Sequence, residues 1–427
     1  MKKYFPYFLL FTLLFLVSIF AYTQKELAKT VAGIPVNYNE DSVGTYTLPN
    51  PLQLNNGTLV TTADAWISKR RPEIVKLYED NQFGKIRGRP AALRFNVFEK
   101  GTTTLNGKAI RKQVTVYFTN DTIHKMDLLI YIPIHAIKPP PLLLHIAFSA
   151  NCNVINDSAI KQSFVWTKEG KYIPAKETSY PNKLNPEKFI DEGFAFATVY
   201  YGDIEPDFKD GIKYGIRSTY LKEGQQLASN DWGTIAAWGW GLSRAMDYFE
   251  TDKQIDAKKI ALFGVSRLGK TVLCAGAYDT RFAMIIANCS GEGGAAIARR
   301  NYGETLAHMS HPTRYGYQFC PNYHSYADRV NEFPVDGNML ISLIAPRPLL
   351  LQTGDVDYWS DPKGEFLAAE AATPVYHLFK KEGIENKTMP AAGQPILNTL
   401  GYSMHSGGHG TVPSDWDIAI AFMKKYL

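Results

Sequence analysis

The sequence predicts an α/β fold: a mainly parallel sheet with helices packed on both faces. Three observations point to it. Short apolar runs bounded by turn residues recur from Gln113 onward. Beyond Phe194 they alternate with longer helical stretches, the signature of strand–helix–strand units. The chain has 427 residues, 45% of them hydrophobic and 20% charged, enough for a large core.

The elements follow in order. Tyr22 to about Lys108 is mixed, with a Pro-, Asn- and Gly-rich loop from Leu48 to Gly57 and one helical stretch through Trp66 to Tyr78. Residues 23–108 are therefore expected to form an N-terminal extension packed on a main domain over 109–427. Gln113 to Thr119 alternates as a half-buried strand. Met126 to Ile134 and Leu142 to Phe148 are apolar runs, with Pro139 to Pro141 marking the turn between them. Phe194 to Tyr201 is a further strand, and Asp231 to Phe249 a long helix. Lys259 to Val265 is an apolar strand, and a helix starts near Arg267. Phe282 to Asn288 and Pro348 to Thr353 read as buried strands, Pro362 to Lys381 and Ser414 to Tyr426 as helices. The first strands look antiparallel, as at a sheet edge. There is no internal repeat and no low-complexity linker.

Lys2 and Lys3 precede an apolar run from Phe5 to Phe20, followed by Ala21-Tyr22-Thr23-Gln24. This is the pattern of a secretory signal peptide, residues 1–22, so a secreted or periplasmic protein is expected. The run falls short of the ~20 residues of a comfortable membrane span, and no second long apolar segment follows. The net charge is +5, from 46 basic and 41 acidic residues, with no dense basic block. That argues against a nucleic-acid partner. Cys152, Cys274, Cys289 and Cys320 form no CxxC pair, so no metal site and no cofactor is expected. Export would permit disulfides, and four cysteines allow three complete pairings. Cys274 is expected to be buried in a helix as a small apolar residue.

The strongest local signal is Ile260-Ala261-Leu262-Phe263-Gly264-Val265-Ser266-Arg267-Leu268-Gly269-Lys270. A buried strand ends in Gly-x-Ser and a helix begins at once. That is the nucleophile elbow of an α/β-hydrolase, a three-layer αβα sandwich, and Ser266 is the expected nucleophile. Gly264 allows close backbone approach, and the helix N-terminus offers amide donors to an oxyanion. The usual G-x-S-x-G is modified: Leu268 holds the second glycine position and Gly269 comes one residue later.

In this fold the chain order is Ser, acid, His. His377 falls inside a helix and is set aside. His409, in Ser406-Gly407-Gly408-His409-Gly410, is preferred as general base over His405, which sits at a strand end. Gly354-Asp355-Val356-Asp357 follows a late strand and points to Asp357 as the acid. Asp361 reads as the N-cap of the helix opened by Pro362. Glu292 stays open as a second candidate acid. A metalloenzyme has weak support, because the i, i+4 pair His405 and His409 lies in a glycine loop.

These segments resemble the glucuronoyl esterases of carbohydrate esterase family 15, most of all the bacterial members. Gly264-Val265-Ser266-Arg267-Leu268-Gly269-Lys270 matches the family's G-C-S-R-x-G-K. Trp232 to Tyr248, Ser290 to Glu304, Phe319-Cys320-Pro321-Asn322, Leu343 to Phe366 and Gly407 to Trp416 are also similar. The resemblance implies cleavage of the ester between 4-O-methyl-glucuronic acid of xylan and a lignin alcohol. A monomer is expected. It implies oxyanion stabilisation by Arg267 and sugar binding by Lys270, Glu304 and Trp359. Two departures stand out. The position of the catalytic Glu of fungal members is Cys289 here, and some bacterial members carry the acid after the late strand instead. A family arginine four residues before the catalytic His is replaced by His405. Competing readings are an acetyl xylan esterase or other deacetylase on the same fold, and a non-catalytic carbohydrate-binding protein.

Overall fold

The computed structural model describes residues 27–180, 183–222 and 224–427. The signal segment expected over 1–22 lies outside them. Among the described residues, nine strands form the central sheet. They are β1 (Arg94–Thr104), β2 (Ala109–Tyr117), β3 (Lys125–Pro133), β4 (Leu142–Ala147) and β5 (Ala195–Tyr200), then β6 (Ile260–Val265), β7 (Met284–Asn288), β8 (Leu349–Gly354) and β9 (Leu400–His405). Their spatial order is β9-β8-β7-β6-β4-β5-β3-β2-β1. All pairs from β5 to β9 across the sheet are parallel, whereas β1, β2, β3 and β5 pair antiparallel in succession.

The parallel strands are buried on both faces, which is why they read as unbroken apolar runs. Alternate side chains enter opposite layers. Ile260 and Leu262 of β6 join one core, Ala261 and Phe263 the other. The first core holds the helices α1 (Arg71–Asn81), α2 (Thr234–Phe249), α3 (Arg267–Tyr278) and α4 (Pro362–Leu378). The second is covered by α5 (Pro413–Tyr426), whose Ala419, Phe422 and Met423 face the sheet. The result is the three-layer α/β-hydrolase sandwich.

Two differences from the sequence reading have local causes. β1 lies within the segment set apart as an extension, yet it supplies the sheet's edge strand. Its pairing with β2 slips between Val97 and Glu99 and again between Glu99 and Thr102, so its alternation breaks and the apolar pattern is lost. α4 stops at Leu378 instead of Lys381 because Lys380 turns left-handed (φ 56°). The four cysteines are free thiols, and Cys274 is buried in α3.

Phe263 ties the second core together, with its ring 4.4 Å from that of Trp416 on α5. Phe263→Ala should cost about 3–5 kcal/mol, read as a lower urea midpoint with unchanged slope.

Candidate active site

β6, β7, β8 and β9 are neighbours in one parallel register, and each carries a chemical group just past its C-terminal end. They are Ser266, Cys289, Asp357 and His409. Loops at that end of a parallel sheet are where such folds build their sites.

Ser266 follows β6 directly with φ 59° and ψ −127°, a strained conformation for a residue with a Cβ. Two hydrogen bonds hold it. Its N–H donates to Asn288 O at 2.8 Å, and its carbonyl accepts from Lys270 N at 3.0 Å. The turn is so tight that a Cβ on Gly264 would lie 2.2 Å from Leu268 O. A Cβ on Gly269 would lie 2.8 Å from Asn288 O. That explains the displaced glycine: α3 crosses the end of β7 at residue 269, while Leu268 is fully buried in the core. Arg267 opens α3, where first-turn N–H groups have no partner inside the helix.

His409 Nδ1 lies 2.8 Å from Asp357 Oδ2 and 3.2 Å from Ser360 Oγ. The carboxylate is 3% exposed and the imidazole 44%, so a buried acid stands behind an accessible ring. The ring's loop is fastened on two sides. Gly407 N donates to Asp355 Oδ1 at 2.8 Å, and Val356 N donates to Gly407 O at 3.1 Å. A Cβ on Gly354 would lie 2.3 Å from the carbonyls of both Gly407 and Gly408, so only glycine lets the loop sit this close.

The other candidates fall away from the centre. Glu292 is buried elsewhere: it accepts from Tyr323 OH at 3.1 Å, and burial pushes its carboxyl up to about 8. It does not line the cavity that holds Ser266 and His409. His377 sits exposed on α4 beside Glu385. Asp361 caps α4, accepting from Gly364 N at 2.9 Å, and also pairs with Arg300. His405 is buried, with Nδ1 3.0 Å from Asp415 and Nε2 3.0 Å from Gly408 O. Both partners are acceptors, so the site favours the charged ring, in which both nitrogens donate.

Ser266, Arg267, Lys270, Glu304, Asp357, Trp359 and His409 line one cavity of about 240 Å³. Lys270 Nζ stands 3.8 Å from Glu304 Oε2, at 5% and 9% side-chain exposure, so this is not a surface ion pair. Burial pulls the Lys270 ammonium below its usual range, opposed by Glu304. Arg314 completes the cluster and was not foreseen. Its Nη2 donates to Glu304 Oε1 at 2.8 Å, and its guanidinium lies 5.1 Å from the Trp359 ring. Its Nη1 is buried with no protein partner. Arg314 sits in an aperiodic loop, so no local pattern marks it.

Arg267 is held by an ion pair to Asp207 and lies over the Tyr315 ring at 4.6 Å. Asp207 also accepts from Tyr317 OH at 2.8 Å and Gln318 Nε2 at 2.9 Å. Arg267, Arg314 and Tyr315 form a shared wall with a second cavity of about 560 Å³, which Trp166 and Phe208 also line. Cys289 stands beside the imidazole, its Sγ within 4.8 Å of the donor atoms of His409 and Asp357, and Gly410 N donates to it at 3.4 Å.

The comparisons with known proteins agree in one direction. A family model described as glucuronyl esterase, fungi, matches residues 226–380. A carbohydrate esterase from an unknown prokaryotic organism is 42% identical over 401 residues, 92% of each chain. The structure of a glucuronoyl esterase from Solibacter usitatus is 44% identical, with TM-score 0.85 over 90% of this chain and 99% of that one. A carbohydrate esterase family 15 enzyme from a marine bacterial metagenome, described as promiscuous, is 42% identical, with TM-score 0.82 over 92% of this chain and 100% of its own. A sheet of this order, with a strained serine at a strand–helix turn, defines an α/β-hydrolase. Within that class the chain belongs to the glucuronoyl esterases, carbohydrate esterase family 15.

The His405 cluster generates a pH dependence. Asp415, beside Nδ1, raises the folded pKa of His405 above the free value of about 6.5. Its contribution to stability is therefore complete below that free value and is lost as pH rises through the folded pKa. His405→Gln should cost more stability near pH 6 than near pH 9, measured by urea unfolding at both. An equal loss at the two pH values would refute the charged state.

Proposed function

We propose that this protein hydrolyses esters of glucuronic acid through an acyl-enzyme on Ser266. The natural substrate class is the ester joining 4-O-methyl-glucuronic acid of xylan to a lignin alcohol. One observation carries the reading: the buried cluster Lys270–Glu304–Arg314 lies in the same cavity as Ser266 and the His409–Asp357 pair. An ammonium and a guanidinium donate while a carboxylate accepts, so together they match the several hydroxyls of a sugar ring. A bare acetyl group offers them nothing, and their burial would then be an uncompensated cost. This disfavours the deacetylase reading. The strained serine and the imidazole–carboxylate pair disfavour a purely binding protein.

In this mechanism His409 gives its Nδ1–H to Asp357, which leaves the Nε2 lone pair free to take the proton of Ser266 Oγ. Oγ attacks the uronate carbonyl. The oxyanion is met by the first-turn amide at Arg267 and by the fixed Arg267 guanidinium. Collapse expels the alcohol, which takes its proton from Nε2. Water, activated by the same nitrogen, then frees the uronic acid and regenerates Ser266. Trp359 offers an apolar face to the sugar. The adjoining aromatic cavity suits the alcohol portion. The N-terminal pattern supports export, where polysaccharide is met, and nothing in the reaction requires a second subunit. No helix among the described residues is long and apolar enough to cross a membrane.

Wild type should cleave the benzyl ester of glucuronic acid, and Ser266→Ala should lose at least about 10⁴-fold in turnover. Asp357→Asn should lose roughly 10²–10⁴-fold. Activity on an aryl acetate alone would leave the serine hydrolase standing and overturn the uronate assignment. Lys270→Met should raise KM for the uronate ester roughly tenfold or more, with little change on the aryl acetate. Steady-state kinetics on the two substrates checks the difference.

A further inference from the structure

We propose that Cys289, Asp357 and His409 form a binding site for one thiophilic divalent cation, with Zn²⁺ as the reference ion, and that its occupancy switches hydrolysis off. A thiol sulfur, a carboxylate oxygen and an imidazole nitrogen from three different loops lie within 4.8 Å of one another. The outermost donors, Cys289 and His409, are 120 residues apart in sequence (409 − 289), and the three meet because β7, β8 and β9 end side by side.

The donor set fits zinc. Metal–donor lengths of about 2.0–2.3 Å in tetrahedral geometry bring donors to within about 3.2–3.8 Å of each other. The cluster needs to tighten by about 1 Å at its widest. The loop backbone is fastened, so the adjustment falls to side-chain rotation: the His409 ring is half exposed and has room to turn. The fourth position opens to the cavity of Ser266. A sulfur in place of an oxygen selects zinc-like ions over Mg²⁺ and Ca²⁺, which take oxygen ligands.

The consequence follows from proton positions. Zn²⁺ displaces the thiol proton from Sγ to solvent. Nδ1 now holds the metal instead of its proton, and the neutral imidazole carries that proton on Nε2. Nε2 then has no lone pair with which to accept the proton of Ser266. This step rests on the reading of His409 as general base, whereas the binding itself does not.

The site is tested with Co²⁺ and the function with Zn²⁺. Co²⁺ should give a thiolate-to-metal charge-transfer band in the near ultraviolet with wild type and with Ser266→Ala, and none with Cys289→Ala. Cys289→Ser, nearly isosteric, is the second variant should the alanine form not fold. Zn²⁺ should inhibit ester hydrolysis reversibly, with recovery on chelation and no effect of Mg²⁺. Relative to its own metal-free rate, the Cys289 variant should need at least ten times more Zn²⁺ for half inhibition. A band that persists without Cys289, or equal inhibition of both forms, overturns the site. A Cys289-dependent band with hydrolysis unimpaired overturns the switch. If wild type cleaves no uronate ester, the functional reading fails, and the cobalt band still decides the site.

Discussion

Everything chemical in this protein hangs on a hydrogen-bond ladder that continues past the ends of four parallel strands. Ser266 N reaches Asn288 O at 2.8 Å, Cys289 N reaches Gln352 O at 2.7 Å, and Asp355 N reaches His405 O at 2.9 Å. Each bond joins the loop after one strand to the strand or loop next to it. The groups that must meet are thus stapled in a row, and the strain at Ser266 is borne by a sheet buried on both faces. The elbow could not hold its positive φ on a free loop.

Around this row the protein places charge with partners already attached. Asp357 is buried against His409, Asp207 against Arg267, and Glu304 against Lys270 and Arg314. Each pairing offsets part of the cost of taking a charge out of water and fixes the direction of the donor left over. Preorganisation of this kind spares the reacting groups from reordering when charge develops. His405 and Asp415 serve the same end at one remove. Their pair sits beneath the loop of His409, and Nε2 of His405 holds the carbonyl of Gly408.

The presence of a thiol at Cys289 has a structural logic. Asp357, in the loop after the next strand, already places a carboxylate 2.8 Å from the imidazole, so the position after β7 need not carry an acid. A thiol there fills the volume, accepts from Gly410 N and leaves the ring accessible. With the thiol beside them, the imidazole and the carboxylate become part of a cluster of three donor atoms.

The sequence by itself determined the strand–helix alternation, the elbow at Ser266 and the glycine-rich loop of His409, because these are local. Periodicity, turn chemistry and a tight backbone need only neighbouring residues. The shape of Gly264-Val265-Ser266 and the cap at Asp361 were legible for that reason. The sequence could not decide between Asp357 and Glu292, since both follow strands and both are acidic. Only packing separates them, by burying Glu292 against Tyr323 and bringing Asp357 within 2.8 Å of His409. It gave no sign of Arg314, of the pairing of Arg267 with Asp207, or of the edge strand β1, whose bulges erase its alternation. These depend on contacts between residues far apart in the chain, and those distances are set only when the sheet closes its register.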